Sequence, residues 1–390
     1  MRKKNLSLLD GYRQQQRAIK VRIYPNDEQT VLLNKTFGCV RFVWNQMLSF
    51  EQEIYAAADT HFVPTPATFK EEYTFLKEVD SLALANAQIN LNAAFSSFFK
   101  GKSKHPNFKS KKNTPKSYTT NCQTPKNGGN PTIEVFEHEV KLPKVGVVKA
   151  TIHRKPMPGW ALKGATVSQS ASGKYYCSLL YEYAEPIPEE VLPEWDTTIG
   201  LDYSSPDFYV DDKGNSPMRE RYFRISEEKL AKEQRKLSKM EYDSNNYKQQ
   251  KLKVSKIHEH IANQRKDFCH KESRRITNSC SAVCVEDINL RDLSRSLRLG
   301  KSTLDNGFGM FRNFLEYKLR DQGKHIIVID KWLPSSKACN RCGYINKDLK
   351  LSDRIWICPG CEELVMRDAN AGLNIKKEGY NSFYGVITTR

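Results

Sequence analysis

Two cysteine pairs near the C-terminus constrain this chain more than any other feature. Cys339-x-x-Cys342 and Cys358-x-x-Cys361 are separated by 15 residues (343–357), and each knuckle, CNRCG and CPGC, carries a glycine near its turn. Four thiolates at that spacing close a tetrahedral shell around Zn²⁺, and such a shell leaves no coordination position open for a substrate. The metal so held is structural. Two redox dithiols are the competing reading of the same motif, and the spacing favours zinc. Arg367-Asp368 follow at the head of RDANAGLNI. Asp368 therefore either belongs to an active site beside the zinc module or caps a helix.

The other six cysteines, Cys39, Cys122, Cys177, Cys269, Cys280 and Cys284, show no framework spacing. The opening MRKKNLSLLDGYRQQQ is charged and lacks the apolar stretch of a secretory signal. No apolar run approaches the ~20 residues of a membrane span. These features predict a reducing compartment and cysteines that bind metal rather than form disulfides. They point to a cytoplasmic protein with no membrane partner. With 390 residues, 39% hydrophobic and 11% aromatic, the chain has enough apolar material for about two to four folded domains. Its formal net charge is +17, from 62 Lys+Arg against 45 Asp+Glu. That excess suggests a polyanion, most simply nucleic acid; a merely basic protein is the alternative, because net charge speaks to association and not to fold.

Along the chain, Ile19 to Tyr24 reads as a strand, Pro25-Asn26-Asp27 as turn and cap, and the following apolar spacing as a helix. SLALANAQINLNAAFSSFFK continues the helical block to about residue 100. GKSKHPNFKSKKNTPKSY (101–118) then carries six lysines and no acid, and its Pro and Asn content predicts a loop or extended arm. A solvated loop is the bland reading. Phe108 and Tyr118 interleaved among lysines favour a nucleic-acid contact through Lys102, Lys104, Lys109, Lys111 and Lys112. Residues 131–183 are β-rich and broken by Gly, Pro and Ser, as in a small antiparallel barrel or sandwich. AEPIPEEVLPEW (184–195) marks a boundary. TTIGLDYSSPDFYVDDKGNSP reads as a hairpin turning at Asp-Lys-Gly-Asn, and 219–278 as a charged antiparallel helix pair broken at Ser244-Asn245-Asn246. SAVCVEDINL is a strand, GMFRNFLEYKLRDQG an amphipathic helix, and KHIIVID a buried strand.

Three acids stand out by position. Asp202 lies inside the apolar run TIGLDYS, Glu286 ends AVCVED, and Asp368 opens a helix. A carboxylate within a strand that should be core is costly unless paired or bound to metal. Together the three suit Mg²⁺, which wants hard oxygen ligands, and two such ions can serve phosphodiester hydrolysis.

At this point the chain resembles the TnpB (OrfB) family of transposon-encoded proteins, relatives of type V CRISPR effector nucleases. The resemblance runs through RIYPNDEQTVLLNKTFGCVRFVWNQML, HPNFKSKK, KLPKVGVVKATIHR, IGLDYS, VCVEDINL and PSSKACNRCG…DRIWICPGC…RDANAGLNI. It implies a multidomain α+β protein: a RuvC nuclease of RNase H-like α/β fold with an inserted four-cysteine zinc ribbon, plus an N-terminal wedge β-barrel interrupted by a helical recognition domain. On that pattern 1–30 and 127–190 are the wedge barrel, 31–126 the helical domain, 191–333 and 365–390 the nuclease with a helical hairpin at 219–278, and 334–364 the ribbon. Asp202, Glu286 and Asp368 become catalytic acids and Mg²⁺ ligands, with two ions, and the four ribbon cysteines become Zn²⁺ ligands. The implied activity is RNA-guided cleavage of double-stranded DNA beside a short recognition motif, by a monomer carrying a guide RNA. Phosphate contacts are expected from the 101–116 arm, the basic N-terminus and the 219–275 helices.

One departure is visible: many members have Gly two residues after the first acid, where this chain has Ser204 in DYSS. Ser lacks the backbone freedom of Gly, so the local turn is expected to differ. Two other readings stand beside the first, a compact type V effector using a crRNA and a guided DNA-binding repressor that does not cleave. Retention of all three acids argues against the repressor.

Overall fold

The computed structural model describes residues 10–125, 128–218, 220–289, 307–350 and 352–385; the basic start of the chain lies outside them. The chain divides into two compact units, Met1–Pro186 and Ile187–Arg390.

In the first unit, strand β1 (Tyr12–Tyr24) alternates polar and apolar residues, with Ile19, Val21 and Ile23 inward. It lies between β5 (Gly146–Thr151) and β7 (Tyr175–Pro186), antiparallel to both. With β2 (Lys116–Asn121), β3 (Glu134–Val135), β4 (Glu139–Leu142) and β6 (Ala161–Gln169) it forms a seven-stranded sheet in the order β2-β6-β7-β1-β5-β4-β3. The sheet curls until its ends meet, where the Thr132 N–H donates to the Gln123 carbonyl at 2.9 Å. Val21, Val140, Val148, Val167 and Cys177 are fully buried inside it.

Two expectations change here. β1 begins seven residues before Ile19, because Tyr12 to Ala18 pair with the long end of β7 and alternation survives even in a polar run. β2 falls inside the block read as loop and helix, yet it is hydrogen-bonded to β6 along its whole length. Tyr118 is consequently core, 3% exposed and packed on Phe37 at 5.7 Å between ring centres, and not an aromatic available to a nucleic acid.

Helix α1 (Asp27–Ala58) starts at a reciprocal cap: the Asn26 side chain accepts from the Gln29 N–H, and the Gln29 side chain accepts from the Asn26 N–H. It packs against α2 (Ser81–Phe99) through Val43, Met47, Leu48, Leu84, Leu91 and Phe95.

The second unit is built on a four-stranded sheet in the order β11-β10-β8-β9, comprising β8 (Thr198–Ser204), β9 (Phe208–Asp211), β10 (Ala282–Glu286) and β11 (His325–Ile329). β8, β10 and β11 run parallel, and β9 returns antiparallel to β8. The hairpin turns at Ser205–Asp207; the Asp-Lys-Gly-Asn turn comes after β9, where the Gly214 N–H meets the Asp211 carbonyl. Strand β11 is an edge strand, so Val328 is 48% exposed where a fully buried strand was expected.

Helices α3 (Tyr222–Ser238) and α4 (Asn245–Ser279) form the charged pair, and Ser244 caps α4 by accepting from the Tyr247 N–H. Helix α5 (Phe308–Arg320) covers one sheet face with Phe308, Phe311, Leu315 and Leu319. Helix α6 (Arg367–Phe383) lies against β8, β10 and β11. Between β11 and α6 the cysteine module contributes a two-stranded hairpin, β12 (Ile355–Ile357) and β13 (Leu364–Met366).

Candidate active site and metal centre

The three acids reach one neighbourhood from three elements. Asp202 is the fifth residue of β8, Glu286 the last of the adjacent parallel strand β10, and Asp368 the second residue of α6. Parallel pairing of β8 with β10 brings the ends of the two strands side by side. Asp202 is held well above the carboxylate range, pushed up to about 8, by burial first and then by the negative charges of Glu286 and Asp368; Arg367 and Arg354 partly offset them. Glu286 is also raised, by burial, against a hydrogen bond from Ser335 that pulls it down.

Each acid has a distinct partner. The Ser335 hydroxyl donates to Glu286 Oε1 at 2.5 Å. The Arg354 guanidinium grips both Asp368 oxygens, at 3.0 and 2.9 Å. Arg354 precedes β12, so the cysteine module itself reaches the acid.

Helix α6 approaches the sheet closely enough to bring Asp368 in because glycines line the contact. A Cβ on Gly200 of β8 would stand 2.1 Å from the Gly372 carbonyl oxygen, and one on Gly379 would stand 2.4 Å from Cys284 Sγ. A buried ion pair locks the same contact: Lys376 Nζ lies 2.8 Å from Asp212 Oδ2, with both side chains under 7% exposed. The other Asp212 oxygen accepts from the Gly200 N–H at 3.3 Å.

The four cysteine sulfurs lie within 4.8 Å of one another, with Cys339–Cys361 at 3.7 Å and Cys342–Cys358 at 3.5 Å. A disulfide would need about 2.05 Å. A tetrahedron of sulfurs ~2.3 Å from one ion has edges of about 3.8 Å, close to what is seen. The two knuckles match in backbone: the Gly343 N–H donates to the Cys339 carbonyl, and the Glu362 N–H to the Cys358 carbonyl. Gly343 (φ +78) and Glu362 (φ +58) both take the left-handed conformation, so the knuckle's special backbone position lies after its second cysteine, and Gly360 does not fill it.

A polar ladder ties this module to α6. Asn370 Oδ1 accepts from the Asn340 N–H at 2.8 Å, and Asn370 Nδ2 donates to the Ala338 carbonyl at 2.7 Å. Asn374 Nδ2 donates to the carbonyls of Ser335 (2.8 Å) and Ala338 (2.7 Å). The segment holding Glu286 is thereby pinned to the helix holding Asp368.

Sequence reasoning singled out the acids and cysteines but missed Ser335, Arg354, Asn370, Asn374, Asp212 and Lys376. A signal existed for the asparagines, two amides four apart on the helix that opens with Asp368. None existed for Asp212 and Lys376, which are 164 residues apart. Ser204 stays in strand conformation and hydrogen-bonds Asp207 at 3.0 Å; the positive φ falls instead on Phe208 (+79), so no glycine is required at 204.

The arm lysines belong to the first unit. Lys102, Lys104, Lys111 and Lys112 are exposed, whereas Lys109 is half-buried with Nζ 3.5 Å from the Trp44 ring centre. Among the described residues no helix is long and apolar enough to cross a membrane.

Residues 178–297 match the OrfB_IS605 family, described as "Probable transposase", and 308–375 match the Cas12f1-like TNB domain. Residues 15–59 match a family described as "Helix-turn-helix domain", although here they form β1 and one unbroken helix. A Streptomyces pristinaespiralis protein provisionally named an RNA-guided DNA endonuclease is 33% identical over 378 residues, covering 94% of this chain and 90% of that one. InsQ of Escherichia coli K12, with the same provisional name, is 26% identical over 387 residues, 93% of this chain and 92% of that one. Among solved structures, the fold is similar to Cas12f1 in its sgRNA–target DNA complex, with TM-score 0.60, 13% identity, and coverage of 93% of this chain and 99% of that one. It is also similar to the mini-RNA-guided endonuclease CRISPR-Cas_phi3, with TM-score 0.52, 8% identity and coverage of 94% and 92%. Full-length relationship at one-third identity, together with acids and cysteines in the expected order, places the chain in the TnpB (OrfB) family of transposon-encoded proteins related to compact type V CRISPR effectors.

Proposed function

We propose that this protein is an RNA-guided, Mg²⁺-dependent DNA endonuclease whose single active site is Asp202, Glu286 and Asp368. The observation that carries the reading is the placement of three carboxylates, from two parallel strands and a helix start, near enough that Glu286 and Asp368 together with burial push Asp202 up to about 8; among the described residues only the four cysteines already stand at shared-ligand spacing. Half-buried like charges of this kind are costly alone and are relieved by a divalent cation. The donor set is all oxygen, which fits Mg²⁺ rather than a softer metal. When bound, Mg²⁺ would supply an activated water and charge neutralisation at a phosphodiester.

The chain's own residues do the positioning. Asp202 is fixed by the sheet, and Glu286 is oriented by the Ser335 hydroxyl. Asp368 is offered at the first turn of α6, where metal ligation would compete with Arg354 for the same two oxygens. The four cysteines would hold Zn²⁺ as a closed structural site. The domain reading follows: a wedge barrel in the curled sheet, a helical recognition domain ending before Lys116, an RNase H-like nuclease on the β11-β10-β8-β9 sheet, and the zinc ribbon inserted before α6. A guide RNA and a double-stranded DNA target are the partners, and the net charge of +17 suits both.

The test is direct. Asp202→Ala or Glu286→Ala in the protein–guide complex should abolish cleavage and leave target binding largely intact. Wild-type cleavage by both variants would sink the assignment.

A further inference from the structure

The arm read from sequence as a loose basic loop is not loose in its second half. Trp44 Nε1 donates to the Asn107 carbonyl at 3.1 Å. The Asn45 side chain both accepts from the Lys109 N–H (2.8 Å) and donates to the Lys109 carbonyl (2.9 Å). This clamp places the Lys109 ammonium on the Trp44 ring, with Nζ 3.5 Å from its centre.

Beside it is a cavity of about 220 Å³ lined by Arg41 of α1, Lys109 of the arm, Lys116 at the start of β2, and the residues Thr114 and Ser117. Arg41, Lys109 and Lys116 reach its lining from three elements, no acidic side chain lines it, and Lys116 Nζ is held by the neutral oxygens of Gln169 (2.8 Å) and Asn34 (3.3 Å). Among the described residues no hydrogen bond or ion pair engages the Arg41 guanidinium. Burial pushes Lys109 down to about 8, and burial with the charges of Lys111 and Arg41 also lowers Lys116. A fold that gathers like charges without a counter-charge carries a cost that an incoming anion would lower. The cavity is smaller than the ~300–1,000 Å³ of pockets that enclose whole small molecules, so it suits one group of a larger ligand.

We propose that Arg41, Lys109 and Lys116 form a binding pocket for a single backbone phosphodiester of the nucleic acid this protein handles. Arg41 supplies the planar fork, Lys109 and Lys116 the point charges, and Thr114 and Ser117 neutral hydroxyls. The pocket rests on the nucleic-acid-binding part of the function proposed above. It differs from the rest of the arm in that the backbone carrying Lys109 is fixed by Trp44 and Asn45 before the ligand arrives.

The experiment uses Arg41→Gln in the full chain, chosen because Arg41 has no partner whose loss would unfold the protein. Binding of guide RNA to the free protein and of target duplex to the protein–guide complex are each measured across salt. The expected result is about a 5–20-fold loss of affinity in one of the two arms, with the salt slope in that arm shallower by about 1. Loss in the RNA arm assigns the phosphate to the guide, and loss in the DNA arm assigns it to the target. Arg41→Lys should recover part of the affinity. Unchanged affinity and slope in both arms, at wild-type melting temperature, overturn the pocket. So does a loss with no change of slope. Failure of the wild-type protein to bind RNA would instead overturn the guided function, and the two failures are read separately.

Discussion

Gly200→Ala probes the contact on which the candidate active site depends. The new Cβ would lie 2.1 Å from the Gly372 carbonyl oxygen and 2.8 Å from the Lys376 nitrogen. Both are backbone atoms of α6, so no side chain can swing aside. Ordinary contact begins near 3.4 Å, and α6 must therefore retreat by more than an ångström. Overpacking of this kind costs about 1–3 kcal/mol. The retreat also stretches the buried Lys376–Asp212 pair and removes Asp368 from Asp202. Misplacement by ~1 Å at reacting groups costs on the order of 10²-fold in rate. Single-turnover cleavage of a target duplex by the protein–guide complex should fall by about that factor, with a lowered melting temperature and intact guide binding. Gly38→Ala is the matched control: Gly38 is within α1 with nothing inside 4 Å of its added Cβ, and alanine there should stabilise by about 0.5–1 kcal/mol. Wild-type cleavage and melting for Gly200→Ala would refute the claim that close packing of α6 on β8 assembles the acids.

Cys342→Ser should lower zinc content and melting temperature together, because binding free energy in such sites is folding free energy; unchanged zinc stoichiometry would refute the four-sulfur centre. Asn370→Ala removes a 2%-exposed amide with partners on both sides, which costs about 1–3 kcal/mol and should speed zinc release to a chelator. An unchanged release rate would mean that the ladder to the cysteine module carries no energy. Lys318 is buried, donates to the His270 carbonyl and Ser273 hydroxyl, and is pushed down to about 8 from an ordinary 10.5 by burial. Between those values the unfolded chain binds more protons than the folded one, so this residue makes stability rise with pH. Any melting-temperature advantage of Lys318→Met over wild type should therefore be greatest below pH 8 and shrink toward pH 10.5, and a pH-independent difference would refute the charged buried lysine.

The elements whose chemistry is local were legible in the chain itself. Capping at Asn26 and Ser244 needs only neighbours within a few residues, and α1 and α4 start where those signals stand. The cysteine spacing brought four sulfurs together because a knuckle is closed by its own backbone. The acids were noticed one by one because each sits oddly in its run. Their grouping as one metal site was expected from residue type and from the family resemblance; the means of their meeting was not, since it depends on parallel pairing of β8 with β10 across a long stretch of chain and on a helix about as far again beyond β10. Lys116 to Tyr118 read as loop, and the rest of β2 fell in the helical block, because the partner strand comes more than forty residues later. Local chemistry writes caps, turns and knuckles into short stretches; strand pairing, the glycine contacts under α6 and the Lys376–Asp212 lock are long-range, and only the folded chain brings their parts together.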